Sequence, residues 1–156
     1  MIRLLEAKSE HRRLLWNIHQ KYLYEMTRYY DNEMDENGDY QYGYFDAYFT
    51  EAARKAFLIY DDQALAGFAM VNPYSYIGGK PDYVMAEFTI FPAFRKKGTG
   101  MKAAGQIFES LKGKWELKYN EKNAVAKAFW NKITACYAPE KHRYSETEIV
   151  LVFEVK

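Results

Sequence analysis

Apolar residues recur every three or four positions at Leu14, Leu15, Ile18, Tyr22 and Met26, one face of a helix running from a cap at Ser9 to about Tyr30. Ile2 to Leu5 has the make-up of a short strand before it. The period breaks at DNEMDENGD, five acids between Asp31 and Asp39 with Asn37-Gly38 as a turn signal, and resumes as a helical aromatic stretch from about Tyr44 to Arg54. Two apolar runs, Phe57 to Tyr60 and Ala64 to Val71, flank Asp61-Asp62-Gln63 and predict a hairpin ended by Asn72-Pro73. After the turn Gly78-Gly79-Lys80-Pro81, Tyr83 to Ile90 is almost wholly apolar and reads as a strand buried on both faces. Strict alternation within it puts Val84, Ala86, Phe88 and Ile90 on one face and Met85, Glu87 and Thr89 on the other.

Met101, Ala104, Ile107, Phe108 and Leu111 align on a helix that starts at Gly98 or Thr99 and is closed by Gly113. Trp115 to Tyr119 is a short strand, Asn123 caps a helix carrying Val125, Phe129 and Ile133, and Glu148 to Val155 is the last strand. The order β-α-α-β-β-β-α-β-α-β predicts an α/β chain with parallel pairing in its C-terminal half, where two strand-to-helix crossovers occur.

Composition narrows the function. A length of 156 residues suits one domain spanning 1–156, and 49% hydrophobic with 28% charged residues describes a folded globular chain. With 22 basic against 21 acidic side chains there is no global field to hold a polyanion, which argues against a dedicated nucleic-acid binder. No apolar run approaches the ~18 residues of a membrane span and the N-terminus lacks a signal-peptide core, so a cytoplasmic protein without membrane attachment is expected. Cys136, the single cysteine, reads as a small buried hydrophobe. His11 and His19 fall on an expected surface helix and His142 in a loop; no role and no metal site is assigned to them. The aromatic content is high, with ten aromatic residues between Tyr22 and Phe49. They read either as a core stripe or, with the neighbouring acids, as an acceptor pocket for a cation at Tyr29, Tyr30 and Asp31.

The most informative segment is FTIFPAFRKKGTGMKAAGQIF, a strand running through Pro92 and Arg95-Lys96-Lys97-Gly98-Thr99-Gly100 into a helix. Unpaired amides and the macrodipole at such a helix start favour a phosphate, glycines let it approach, and three cations reinforce the site. A plain glycine turn with a solvated basic edge is the alternative.

Here the sequence resembles the GNAT superfamily of acyl-CoA N-acyltransferases, including a bacterial predicted-acetyltransferase branch. Arg95, Gly98 and Gly100 match its loop pattern Arg/Gln-x-x-Gly-x-Gly/Ala, and Asn123 and Ala126 match its Asn-x-x-Ala helix start. The resemblance implies a GNAT-like fold: a central mixed, splayed sheet of six to seven strands flanked by about four helices. It further implies acetyl-CoA between the Tyr83–Ile90 and Trp115–Tyr119 strands, with no metal. Pantetheine would pair near Thr89 and Ile90, Arg95 and the amides from Lys96, Lys97, Gly98, Thr99 and Gly100 to Met101 would hold the pyrophosphate, and Asn123, Phe129 and Trp130 would flank the arm. Many members carry Tyr-x-Lys-x-Gly-Phe in the second helix, where the tyrosine protonates the departing thiolate; this chain reads Trp130-Asn131-Lys132-Ile133-Thr134-Ala135 instead.

Transfer to an amine needs its free base, which at a pKa of ~10.4 is about one molecule in 2,500 at pH 7. Glu87, emerging mid-strand among apolar neighbours, is the candidate general base, since burial raises a carboxyl toward neutrality. A buried ion pair is the other reading of this residue. The sequence therefore points to an N-acetyltransferase working on the primary amine of a small molecule or peptide, by direct transfer in a ternary complex. A catalytically silent acyl-CoA-binding module and an interaction protein using its aromatic N-terminal surface remain alternatives. A homodimer through edge strands stays open by analogy with the fold.

Overall fold

A computed structural model describes residues 1–156. Its strands are β1 (Ile2–Glu6), β2 (Lys55–Asp61), β3 (Ala64–Asn72), β4 (Tyr83–Ile90), β5 (Gly113–Asn120), β6 (Glu140–Arg143) and β7 (Glu148–Val155). The helices are α1 (Arg12–Met26), α2 (Thr99–Ser110) and α3 (Ala124–Thr134). One seven-stranded sheet runs in the order β1-β2-β3-β4-β5-β7-β6, and β4–β5 is its one parallel pair.

Several boundaries differ from the reading of the sequence for local reasons. Helix α1 is preceded by a 3₁₀ turn at Ser9–His11, and its entry is set by His11 Nδ1 accepting the Lys8 amide at 2.9 Å. The aromatic stretch after Tyr44 forms only a 3₁₀ turn at Asp46–Phe49, so three α-helices flank the sheet and not four. Gly113 does not close α2: it opens β5 at φ 145°, where a Cβ would stand 2.5 Å from the Asp82 carboxylate. The second crossover brings no parallel pair, because β7 inserts antiparallel between β5 and the edge strand β6. Strand β6, which contains His142, has no apolar alternation to announce it and exists through pairing with β7.

Two cores sandwich the sheet. On one side α2 and α3 pack Ala104, Ile107, Phe108, Trp130 and Ile133 against Met85, Trp115, Leu117, Tyr119 and Phe153. On the other, α1 and the 3₁₀ turn pack Leu15, Ile18, Phe45 and Tyr48 against Leu58, Phe68 and Met70. His19, expected on a surface, is fully buried in the second core among the rings of Tyr22, Tyr42, Phe45 and Phe68. Cys136, expected inside, is exposed just past α3.

Two irregularities of β4 open the sheet and reset which side chains share a face. Its pairing with β5 covers only Tyr83–Trp115, Val84–Glu116 and Met85–Leu117, after which the two strands continue without pairing to each other and the sheet splays. The register with β3 shifts between Met70–Glu87 and Val71–Met85, so Ala86 is an extra residue, a β-bulge. Met85 therefore shares the α2/α3 face with Phe88 and Ile90. This corrects the strict alternation, which grouped Met85 with Glu87.

Candidate active site

Glu87 projects at the mouth of the splay on the α1 side. Tyr22 from α1, Tyr42 from the following segment, Tyr76 from the β3–β4 loop and Lys118 from β5 surround its carboxyl. The Tyr42 hydroxyl donates to Oε1 at 3.5 Å. Desolvation pushes Glu87 up to about 7, against the Tyr22 and Tyr42 hydrogen bonds and the Lys118 charge, all of which favour the anion. Burial, and after it the Glu87 charge, pushes the phenols of Tyr22, Tyr42 and Tyr76 upward, so they stay hydrogen-bond donors.

Beside them, Lys118 Nζ lies 2.7 Å from Glu148 Oε2 and within 5.8 Å of the ring centres of Tyr30, Tyr76 and Tyr144. Burial works against the Glu148 anion, but the Lys118 hydrogen bond and charge outweigh it and hold this carboxyl below its ordinary value. The Tyr30 hydroxyl also donates to Glu148, at 3.2 Å. Of Tyr29, Tyr30 and Asp31, named from sequence as an acceptor pocket, Tyr30 is the one that touches this pair. Tyr29 offers its carbonyl to Asn120 Nδ2 at 3.5 Å, and Asp31 is exposed without a hydrogen bond or ion pair. Lys118, Glu148, Tyr42, Tyr76 and Tyr144 escaped sequence reasoning because they come from separate elements and share no motif. A cavity of about 450 Å³ opens next to Tyr22, between α1 and the end of β4, lined also by Lys21, Glu25, Arg28, Thr89 and Arg95.

The loop before α2 has a bare helix start. Gly98 is the N-cap at φ 80°, no side chain caps the helix, and the space where a Cβ would project from Gly98 is open. The first amides of α2 lack intrahelical partners. Lys96 and Lys97 are exposed beside them. Arg95 is engaged elsewhere: its guanidinium forks onto Glu25 at 2.7 and 2.8 Å, and its Nε donates to the Ile90 carbonyl at 2.6 Å. Two free cations, not three, therefore flank the loop. Thr99 is buried and Met101 packs on the core, leaving their backbones as the groups they can present.

Asn123 Oδ1 accepts the Ala126 amide at 3.1 Å and caps α3. Phe129 lies under Gly100, where a Cβ would come within 3.0 Å of its ring. It stacks on Phe88 at 5.6 Å, while Trp130 meets Phe88 edge-on at 5.2 Å. These three rings line the α3 side of the opening, across the sheet from Glu87.

Residues 14–134 match the model of the acetyltransferase (GNAT) family. No curated protein sequence matches the chain. Among solved structures, an acetyltransferase from Thermus thermophilus superposes with a TM-score of 0.69 at 17% identity, covering 99% of this chain and 97% of the other. The PaiA N-acetyltransferase of Thermoplasma acidophilum, in complex with coenzyme A, gives 0.63 at 11%, with 99% of each chain covered. Arabidopsis thaliana NAA60, in complex with acetyl-CoA, gives 0.63 at 10%, again over 99% of each chain. At these identities the structures establish a common fold.

Proposed function

The chain belongs to the acetyltransferase (GNAT) family, and from that premise we propose that it moves an acetyl group from acetyl-CoA to a primary amine by direct transfer in a ternary complex, with Glu87 as general base. The observation that carries this reading is a carboxyl poised near 7 by burial, ringed by phenols at the point where β4 and β5 part. The donor reading is supported by the uncapped start of α2 and the open space at Gly98, a cradle that a side chain would fill. Relatives of the same fold are known with coenzyme A and with acetyl-CoA.

In this arrangement the amides of residues 96–101 hold the pyrophosphate, helped by Lys96 and Lys97. The edge of β4 beyond Met85 that β5 leaves uncovered receives the pantetheine, flanked by Phe129 and Trp130. Arg95 acts by anchoring α1 to the loop, not by contributing free charge. The amine enters from the α1 side, past the phenols of Tyr30, Tyr42 and Tyr76 that lie around Glu87, and Glu87 removes its proton directly or through water. Residues 1–156 act as a single unit in the cytoplasm, and no helix is long and apolar enough to cross a membrane.

The test is a panel of primary amines with acetyl-CoA, reading released thiol. Turnover that rises with pH through about 7 is the expected result. Tight acetyl-CoA binding without turnover on any amine would leave the silent-module reading in its place.

A further inference from the structure

The reaction releases a thiolate, yet position 130 holds an indole, whose N–H is no useful acid. A phenol stands nearby on a different element. Tyr119 lies on β5 two residues beyond Leu117, the last β5 residue paired with β4, and packs in the α2/α3 core with Trp130. Asn131, the residue after Trp130, donates Nδ2 to the Tyr119 hydroxyl at 3.1 Å. The same Nδ2 donates to the Lys127 carbonyl at 2.9 Å, and because that carbonyl can only accept, the orientation of the amide is determined. The Tyr119 oxygen is thus an acceptor toward Asn131 and keeps its own proton to donate. Tyr119 and Glu87 flank the splay from opposite faces of the sheet.

We propose that Tyr119 protonates the leaving sulfur and that Asn131 is its positioning residue; this rests on the donor reading above. The C–N bond forms as the amine proton passes to Glu87. The C–S bond breaks as the Tyr119 proton passes to sulfur, giving the amide and the free thiol. The tyrosinate then regains a proton from water and Glu87 releases its own.

Binding of coenzyme A itself to the full chain provides the test, because it needs no acceptor. Thiolate absorbance of bound coenzyme A, titrated against pH, should show the thiol ionising at least about one pH unit lower in the parent than in Tyr119→Phe, a tenfold change in the ionisation constant. With any amine that turns over, the same variant should lose ~10²-fold in kcat at unchanged acetyl-CoA affinity and thermal midpoint. Asn131→Ala, at a half-exposed position, should shift the thiol in the same direction and serves if Tyr119→Phe does not fold. Identical thiol ionisation in parent and variants overturns the assignment of Tyr119 while leaving the donor reading intact. Failure of the parent to bind coenzyme A overturns the donor reading and this inference with it.

Discussion

Glu87 carries two pH signatures of opposite sense. In the proposed role of base it must be ionised, so kcat/KM should rise as pH passes about 7. For stability the sign reverses: a carboxyl raised from 4.5 to about 7 binds more protons folded than unfolded, so its contribution falls as pH climbs through that window. Glu87→Gln is therefore expected to lose the acidic limb and ~10²-fold in kcat/KM, keep acetyl-CoA affinity, and gain thermal stability relative to the parent between pH 4.5 and 7. Rate profiles and melting curves on the same samples check both. A fully active Glu87→Gln would return the residue to a structural role. Gly98 answers to backbone sterics, since φ 80° costs a β-branched residue roughly 1–2 kcal/mol. Gly98→Val should weaken acetyl-CoA binding more than ~10-fold, or ~1.4 kcal/mol, by calorimetry. Unchanged affinity would remove the loop from the donor site.

Between elements, the Arg95–Glu25 fork ties the last turn of α1 to the loop that precedes α2. Being partly exposed, this bidentate pair is worth about 1 kcal/mol, so Glu25→Gln should lower the thermal midpoint by about 2–4 °C at pH 7. The Arg95 hydrogen bond holds the Glu25 carboxyl below its ordinary value, so the contribution is present above the unfolded pKa and fades as pH falls through the folded one. The difference between parent and variant should accordingly narrow in acid. At the other end of α3, the Tyr137 ring stacks on Phe153, which pairs with Trp115 at the closed end of the splay. Tyr137→Phe should therefore keep kcat within about 10-fold. A 100-fold loss with binding intact would relocate the acid to Tyr137.

Across the sheet's α1 side, two buried groups, Glu87 and His19, pull pH stability in opposite directions between pH 4.5 and 6.5. Burial lowers His19 to about 4 from 6.5, and neither ring nitrogen has a partner. A histidine depressed on folding binds fewer protons folded than unfolded, so stability is lost as pH drops from about 6.5 toward 4, opposite in sign to Glu87 over the shared range. The parent should thus show a flatter profile between pH 4.5 and 6.5 than either group alone produces. His19→Phe should unmask the Glu87 slope and gain stability over the parent on acidification, approaching ~3 kcal/mol near pH 4. Equal acid loss in parent and variant would exclude His19 as its cause.

Local physical chemistry in the sequence determined the limits of β4 and β7, the bare glycine start of α2 and the Asn123 cap of α3. Each of these depends on residues within one or two turns of one another. Tertiary structure decided the rest. The face of Glu87 depends on a bulge set by pairing with β3, and Arg95 takes its partner from 70 residues away. The surroundings of Lys118 come from four separate segments, and β6 is a strand only because β7 lies beside it. His19 and Cys136 exchanged their expected environments, since helical spacing tells which residues share a face but not what covers it. Periodicity and capping are properties of contiguous backbone. Burial, pairing and pKa are properties of whatever the folded chain brings near.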